Sequence, residues 1–332
     1  MKKLQLSDFD YNLPERLIAH KPAEPRDHSR LLVFDRTTGS ITDSHFYNVS
    51  DFLKPNTTLV VNNSKVEKAR MLFGKKEVFV VNTVNDTTVE AMIRPGKKFK
   101  SAAEVQLSDK IKAKVLHIHD DGLRTLQFNK PLDHPDFITH KKTPFPPYIN
   151  ADESLAERYQ TVYAKPDGSK AAPTAGLHFT EGLIKNLKQQ EKVFAEVTLH
   201  VGLGTFAPVK VEDVENHTLH SEEWILTDQT ARLLNQADHI TAVGTTSARV
   251  LESLPARTLE LNHGRGFTDI FIKPGYSFKN VDSLITNFHL PKSTLLMMIA
   301  AFMGYEEMKF VYNHAIKEKY RFYSFGDAML II

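Results

Sequence analysis

The fold is decided by the stretch Ile240-Thr-Ala-Val-Gly-Thr-Thr-Ser-Ala-Arg-Val-Leu-Glu-Ser-Leu254. Residues 240–243 are apolar or β-branched, which favours a short buried strand. Gly244 permits a tight turn, and residues 247–254 carry apolar side chains at helical spacing. A strand that passes through a tight turn into a helix is the repeating unit of layered α/β domains. The stretch therefore predicts an α/β fold.

The same alternation continues on both sides of this stretch. Apolar and polar residues alternate over Val193–Val201, which predicts a strand with one buried face. Helices are expected over 181–190 and 294–303, with Thr180 and Ser293 as their N-caps. The remaining predicted elements are strands at 59–63, 270–272 and 284–288 and a last helix at about 306–318. We expect a layered α/β domain with a mixed sheet.

The middle of the chain has a different character. Residues 65–142 carry 16 Lys and Arg against 10 Asp and Glu, whereas the rest of the chain carries 26 against 30. Short β-type runs alternate here with turn sequences such as Asp121-Gly122, a spacing that predicts a small antiparallel barrel. The basic surplus favours a polyanionic partner and an ordinary solvated surface about equally.

The Pro-rich stretch 143–147 marks the end of this segment. We therefore expect residues 65–144 to form an inserted β-barrel domain. Residues 1–64 and 145–332 then form one discontinuous α/β domain.

Composition excludes several classes of chemistry. The chain has no cysteine, which excludes disulfides, thiolate nucleophiles and cysteine-ligated metals. No Gly-rich dinucleotide loop or phosphate-binding P-loop is present, so nicotinamide and nucleotide-hydrolysis chemistry have no support. Two histidine groups could hold a metal: His217 and His220 with Glu222, and His117 with His119. Zinc sites need three or four ligands with supporting partners, and His117 and His119 have no evident third ligand, so we expect no metal.

The sequence also gives no sign of a membrane or secretion signal. The first residues contain no apolar run typical of a signal peptide. The longest apolar run, Leu295–Met303, is about half the roughly 20 residues that span a bilayer. We expect a cytoplasmic protein.

Ligands of open α/β sheets bind beyond the carboxyl ends of the strands, and three segments have that position. In 197–206, His200 ends a strand, and Gly202 and Gly204 permit close backbone approach. The structural alternative is a turn that needs positive φ, with a histidine satisfied by the backbone.

The second segment is 242–249, where the free N–H groups of a helix start favour an anion. The favoured alternative there is that Thr246 or Ser247 simply caps the helix. The third segment, 284–294, modestly favours function because it gathers four polar side chains in a short space: Asn287, His289, Lys292 and Ser293. His178 precedes a helix, where a lone histidine is more often structural.

Taken together, these segments resemble the S-adenosylmethionine:tRNA ribosyltransferase-isomerases of queuosine biosynthesis. The resemblance covers nearly the whole chain. It is carried, in order, by FDYNLPERLIAHKPAEPRDHSRLLV, LVVNNSKVEKARM, RPGKKFK, PPYI, YQTVYA, AAPTAGLHFT, VTLHVGLGTFAPV, HTLHSEE, AVGTTSARVLES, LITNFHLPKSTLLMM and YRFYSFGDAMLI.

This resemblance implies a larger α/β domain with a smaller inserted β-barrel. It implies that S-adenosylmethionine is consumed as a ribosyl donor, releasing adenine and methionine. The acceptor would be tRNA with 7-aminomethyl-7-deazaguanine at the wobble position, and the product epoxyqueuosine. No metal or other cofactor is implied, and the expected oligomeric state is a monomer.

The resemblance also implies functional residues. The candidate proton-transfer groups are His178, His200 and His289, followed by His220 with Glu222. Candidate holders of the methionine carboxylate are Thr245, Thr246 and Arg249, and Gly202, Gly204 and Thr205 would let the backbone approach the ribose. Candidate RNA contacts are Arg94, Lys97, Lys98, Arg26 and Arg30. The other candidate substrate contacts are Asp27, Thr174, Gly176, Asn287, Lys292, Ser293, Arg321 and Asp327.

The sequence departs from the family pattern at two notable places. Ala207 stands where a longer polar residue is usual, and the barrel is shortened near 75–78. Two rival functions remain open. One is an S-adenosylmethionine-dependent RNA methyltransferase, which the lack of a Gly-rich loop weakens. The other is a non-catalytic RNA-binding module, against which the polar strand-end motifs speak.

Overall fold

A computed structural model describes residues 4–149, 152–202 and 211–332. The chain divides into two compact units. The larger comprises Met1–Lys65, Pro147–Asn150 and Glu157–Ile332, and the smaller comprises Val66–Pro146 and Ala151–Ala156. The candidate residues Gly204 and Thr205, and the departure at Ala207, lie outside the described residues.

The bounds of the regular elements are as follows. In chain order the strands are β1 (Arg30–Asp35), β2 (Ser40–His45), β3 (Thr57–Asn62), β4 (Lys65–Val66), β5 (Arg70–Phe73), β6 (Lys76–Asn85), β7 (Thr88–Arg94), β8 (Glu104–Gln106), β9 (Lys112–Ile118), β10 (Arg124–Phe128), β11 (Lys141–Lys142), β12 (Asp167–Ser169), β13 (Val193–Leu199), β14 (Glu222–Leu226), β15 (His239–Val243), β16 (Gly264–Thr268), β17 (Ser283–Asn287) and β18 (Ala328–Ile331). The α-helices are α1 (Glu181–Gln189), α2 (Asp228–Asn235), α3 (Thr245–Ser253), α4 (Thr294–Met303) and α5 (Tyr305–Lys317).

Nine of these strands form the mixed sheet of the larger unit, in the order β16-β14-β13-β3-β15-β17-β18-β1-β2. The central strands β13, β3, β15 and β17 run parallel, and β14 and β18 flank them antiparallel. Parallel strands bring their carboxyl ends to one edge of a sheet, where the turns that follow β13, β15 and β17 gather.

Both faces of this sheet are buried, which confirms the layered α/β fold. Strand β3 shows the arrangement, since Val60 packs into one apolar cluster with residues of α2 to α5. Its neighbours Leu59 and Val61 point into the other cluster, with Leu183 and Leu187 of α1. Alternate side chains of one strand therefore serve two cores, as period 2 requires.

The helix starts confirm two predicted caps and correct a third. The Thr180 and Ser293 hydroxyls accept N–H groups of Leu183 and Leu296 in the first turns of α1 and α4. Helix α3 begins at Thr245, two residues before the expected start. Its N-cap is Gly244, which makes no side-chain cap hydrogen bond.

The predicted strand over 270–272 is wrong. The strand of this region is β16, which pairs antiparallel with β14. Ile272 is buried and Ile270 packs beside the core without joining the sheet. Apolar content alone does not separate a strand from a buried loop. Strand β16 was not predicted because Gly264 and Gly266 have low strand propensity.

The smaller unit is an antiparallel half-barrel, as the barrel prediction anticipated. Its strand order is β11-β5-β6-β7-β10-β9-β8. Its interior is packed with small and large apolar side chains, among them Val78, Val89, Phe99 and Leu126. No helix in the described ranges 4–149, 152–202 and 211–332 has the length and apolar character needed to cross a membrane.

Candidate active site

A cleft lies in the larger unit at the carboxyl ends of β15 and β17. It encloses about 710 Å³, including its open mouth. Its lining brings together three segments that are far apart in the chain: 171–175, 244–246 and 286–290. Six of the predicted residues line it: Thr174, Thr245, Thr246, Asn287, His289 and Ser293.

The first turn of α3 opens into this cleft without a side-chain cap. Gly244 has φ 89° and precedes the helix, and the Ser247 hydroxyl donates to the carbonyl of Val243 at 2.8 Å. The hydroxyl oxygen of Thr246 is buried and has no partner among the described residues. The capping alternative for Thr246 and Ser247 is therefore wrong, and the helix start remains available to an anion.

His178 lies beneath the cleft in a buried hydrogen-bond chain. Its Nδ1 is 2.8 Å from Ser29 Oγ, and the Asn287 amide donates to its Nε2 at 3.0 Å. Burial, only partly opposed by Asp327, lowers the pKa of His178 to about 4. A neutral ring that accepts at Nε2 carries its proton on Nδ1, so His178 holds the Asn287 amide in one orientation.

This orientation matters because Asn287 is almost fully buried, and its Oδ1 has no partner among the described residues. A buried acceptor without a partner is costly unless a ligand or water satisfies it. The geometry thus makes His178 a positioning residue for Asn287. Its expected role in proton transfer stays a prediction.

His289 is the predicted histidine that lines the cleft. Its Nε2 is 2.7 Å from Thr286 Oγ1, and burial lowers its pKa to about 3. The backbone is held on both sides, because its N–H donates to Tyr312 Oη at 3.0 Å and its carbonyl accepts from Tyr11. His289 is therefore a fixed neutral imidazole in the wall of the cleft.

A second, smaller pocket shares the wall residue Leu295 with the cleft. It contains His220, Glu222 and Arg249. Glu222 and Arg249 form a buried ion pair, and the N–H of Gly202 donates to Glu222 Oε1 at 2.8 Å. The Glu222 carboxylate is thus paired with the Arg249 guanidinium and accepts the Gly202 N–H. These contacts disfavour its expected role as the partner of His220 in proton transfer.

His200 is not among the described residues that line the cleft or the second pocket. It packs on Gly168, where an added Cβ would lie 2.9 Å from His200 Nδ1. Gly176 likewise lets Tyr163 approach, because a Cβ there would lie 2.0 Å from the tyrosine hydroxyl. Packing explains the two glycines. His200 Nδ1 itself is buried without a partner among the described residues, so the expected role of His200 stays a prediction.

Several other candidates make internal contacts. Arg26 donates to the carbonyl oxygens of Gln160 and Glu157 at 2.7 and 3.1 Å. Thr180 donates to Asp27 at 2.8 Å, and Arg30 stacks on the Tyr320 ring at 3.7 Å. The remaining pairs are Arg321 with Asp327 at 2.9 Å and Lys292 with Asp10 at 2.7 Å. These contacts anchor the fold around the cleft.

In the smaller unit, Arg94, Lys97 and Lys98 are exposed. Most other cations of this unit form ion pairs or donate to carbonyl oxygens, as Lys110 and Lys112 do. None of these three forms a salt bridge within the part of the chain that the structure describes. Uncompensated surface cations of this kind suit a polyanion.

No group of three or more His, Cys, Asp or Glu side chains is placed to hold a metal ion in the described ranges. His119 Nε2 instead lies 2.9 Å from Thr125 Oγ1.

The sequence reasoning missed several residues of the cleft. Tyr148 and Ser324 line it with their hydroxyls 2.6 Å apart, and Thr286 holds His289. Ser29 was missed as the partner of His178. Tyr148 and Ser324 stood in motifs that carry the family resemblance, but no local pattern indicates which polar residue of a motif faces a ligand.

A cleft with a few polar groups among apolar walls, at the carboxyl ends of parallel strands in a mixed α/β unit, is the arrangement of an enzyme that binds a small molecule. Comparison with known proteins agrees. The family model described as queuosine biosynthesis protein matches residues 6–331. An S-adenosylmethionine:tRNA ribosyltransferase-isomerase of Thermotoga petrophila is 47% identical over 99% of this chain and all of its own. Its counterpart in Clostridium kluyveri is 44% identical with the same coverage.

Among solved structures, the crystal structure of S-adenosylmethionine tRNA ribosyltransferase from Thermotoga maritima is similar, with a TM-score of 0.57 and 37% sequence identity. The match covers 98% of this chain and all of that one. The chain belongs to the queuosine biosynthesis protein family.

Proposed function

We propose that this protein is an S-adenosylmethionine:tRNA ribosyltransferase-isomerase. It transfers the ribosyl part of S-adenosylmethionine to 7-aminomethyl-7-deazaguanine at the tRNA wobble position and rearranges it to epoxyqueuosine. Adenine and methionine are released. The proposal includes a monomer that acts in the cytoplasm and needs no cofactor beyond the consumed donor.

The observation that carries this proposal is the convergence of three family motifs on one cleft. Segments 171–175, 244–246 and 286–290 form its walls. The same cleft holds two unsatisfied buried polar atoms, Thr246 Oγ1 and Asn287 Oδ1. A binding module for RNA alone would need no cleft that holds buried, unsatisfied polar atoms.

The reaction requires a base for the proton on C5′ beside the sulfonium and an acid for the departing adenine. Of the candidate histidines, His289 lines the cleft, and because burial keeps its ring neutral it would act there as the base and not as the acid. His178 contributes by holding Asn287, whose Oδ1 accepts a hydrogen bond from the substrate. The attacking amine must be unprotonated, which a partly dry cleft favours.

The test is to incubate the protein with S-adenosylmethionine and tRNA that carries the aminomethyl deazaguanine. We expect free adenine to match, mole for mole, the nucleoside that gains the epoxycyclopentane mass, and neither to form with unmodified tRNA. Donor labelled in its methyl group should leave the label in methionine. Label in the RNA would identify a methyltransferase. Tight tRNA binding without adenine release would identify a binding module.

The exposed cations of the smaller unit supply a second prediction. Lys97→Ala with Lys98→Ala is expected to reduce the slope of log affinity for tRNA against log salt by about 1 to 2, because each phosphate contact releases counterions. The charge-matched control is Lys185→Ala with Lys188→Ala, two exposed lysines of α1. Equal slopes for the wild type and the Lys97/Lys98 variant would rule out their role in RNA binding.

A further inference from the structure

Three exposed aromatic rings lie against one another where β1 begins and β2 ends. The centre of the Tyr47 ring is 5.3 Å from that of the His45 ring, which is parallel to it within 4°, and 5.1 Å from that of the tilted His28 ring. All three side chains are exposed, and Tyr47 is 42% exposed. The Tyr47 hydroxyl and the nitrogens of both imidazoles form no hydrogen bond with another described residue. These three residues are called the ring cluster below.

The backbone beneath the ring cluster is fixed by Ser29. Its Oγ is 2.8 Å from His178 Nδ1, and its carbonyl accepts the N–H of Phe46 at 2.9 Å. Phe46 is fully buried, and its ring centre lies 5.1 Å from that of His178. His28 precedes Ser29 in the chain and Tyr47 follows Phe46, so their rings are held in place before a ligand arrives. Such preorganisation lowers the entropy cost of binding.

The register of the sheet places the ring cluster at the same edge as the cleft. Asn287 of the cleft pairs with Ala328, which pairs in turn with Leu31, and Leu31 pairs with Ser44. His45 follows Ser44 at the end of β2. Three strand spacings separate Asn287 from Ser44, a distance of about 14 Å. A few nucleotides of unpaired RNA can span this distance.

The charged residues next to the ring cluster balance one another. Within two residues of its members, the chain carries Arg26 and Arg30 against Asp27 and Asp43, and Arg30 lies 3.8 Å from Asp43. This surface therefore lacks the surplus of positive charge that phosphate contacts require. It offers instead the faces of aromatic rings, with unpaired nitrogen and oxygen atoms at their edges. A nucleobase has the matching flat face and polar edge.

The proposed reaction creates a need for such a surface. The wobble base must leave the stack of the anticodon loop to reach the cleft, and each base beside it then loses a stacking partner. Proteins that recognise unpaired RNA commonly replace this stacking with aromatic side chains, including tyrosine and histidine. A ring cluster beside the cleft is placed to receive one of these neighbouring bases.

We infer that the ring cluster of His28, His45 and Tyr47 binds an unpaired base that neighbours the wobble nucleotide, by stacking. This inference rests on the proposed function. It adds an RNA-binding surface outside the cleft, one that recognises a base and not a phosphate.

The test uses synthetic anticodon stem-loops with aminomethyl deazaguanine at the wobble position. In matched stem-loops, one loop nucleotide beside the wobble position lacks its base. Affinity is measured by fluorescence anisotropy for the wild type, Tyr47→Ala, Tyr47→Phe and Phe267→Ala. Phe267 is the matched control, because it is an exposed ring on β16, at the opposite end of the strand order from β2.

Tyr47→Ala is expected to bind the intact stem-loop about 10-fold more weakly than the wild type, as loss of one stacked base allows. Tyr47→Phe keeps the ring and should bind like the wild type, as should Phe267→Ala. For one of the base-free stem-loops, the wild type and Tyr47→Ala should bind equally, because the stacked base is already missing. The slope of log affinity against log salt should be the same in both proteins, since stacking releases no counterions.

Three results would overturn the inference. They are an unchanged affinity in Tyr47→Ala, a loss of the same size with every base-free stem-loop, and a loss in Tyr47→Phe as large as in Tyr47→Ala. The urea midpoint of Tyr47→Ala checks its fold. If that variant does not fold, His28→Ala replaces it and should show the same dependence on the loop base.

Adenine release separates this inference from the proposed function. A wild type that releases adenine, with no weaker RNA binding in Tyr47→Ala, contradicts only the ring cluster. A wild type that releases no adenine with modified tRNA contradicts the proposed function, and the stem-loop affinities then decide the ring cluster separately.

Discussion

Glu222→Ala is expected to lower the free energy of unfolding by about 3 to 5 kcal/mol, because it leaves the Arg249 guanidinium buried and uncompensated. The side chains of Glu222 and Arg249 are only 6% and 8% exposed, so water cannot replace the lost partner. Urea unfolding measures the change. Trp224 is the single tryptophan and lies in β14 with Glu222, so its fluorescence reports on the larger unit.

The neighbouring residue provides the control for this prediction. Glu223 pairs with Arg265, whose side chain is 74% exposed. Glu223→Ala should cost no more than about 1 kcal/mol. Adding Arg249→Met to Glu222→Ala should restore much of the stability, because no unpaired charge then remains. A similar loss of unfolding free energy for Glu222→Ala and Glu223→Ala would show that burial of the Glu222–Arg249 pair does not increase its contribution to stability.

Acid is expected to destabilise the protein well before its carboxylates are protonated. The pKa of His178 is lowered to about 4 and that of His289 to about 3 by burial. An unfolded histidine titrates near pH 6.5. Below that pH the unfolded chain binds protons that the folded protein does not, so stability falls as the pH falls through this window. Between pH 7.5 and 5, His178 alone accounts for a loss of about 2 kcal/mol.

His178→Gln tests this prediction, because a glutamine amide can still accept from Asn287 and donate toward Ser29. The measurement is the urea midpoint at pH 7.5 and at pH 5. We expect the variant to lose less stability on acidification than the wild type, while His45→Gln, at an exposed position, behaves like the wild type. An unchanged loss in His178→Gln would show that this ring does not resist protonation in the fold.

Local patterns predicted most of the larger unit. The N-caps Thr180 and Ser293 were predicted correctly because a Ser or Thr directly before an apolar helical pattern commonly accepts an N–H of the first turn. The start of α3 was placed too late, because Thr245 and Thr246 have modest helix propensity and the burial of the whole helix overrides it. Strand β16 was missed since its pairing with β14 is decided by a partner about 40 residues away.

The candidate site, like the fold, was predicted from sequence only in part. The motifs around His178, Thr245 and Asn287 were recognised from sequence, but their side chains received one common interpretation as catalytic or binding groups. The structure assigns these side chains to three groups: those that line the cleft, those that form the hydrogen-bond chain of His178 beneath it, and those whose contacts anchor the fold. Residue type cannot draw these distinctions, because each depends on which atoms of distant segments face each other.

By itself the sequence determined the alternation of strands and helices, the two-part composition of the chain and its family, because these depend on residue type, spacing and order. Tertiary structure alone decided that Glu222 is bound by Arg249, that burial keeps His178 neutral, and that Arg249 Nε and Nη2 have no partner among the described residues. The physical reason is desolvation. Folding removes water from a buried group and places specific neighbours around it. These two changes set its pKa and determine whether its hydrogen-bonding atoms are satisfied.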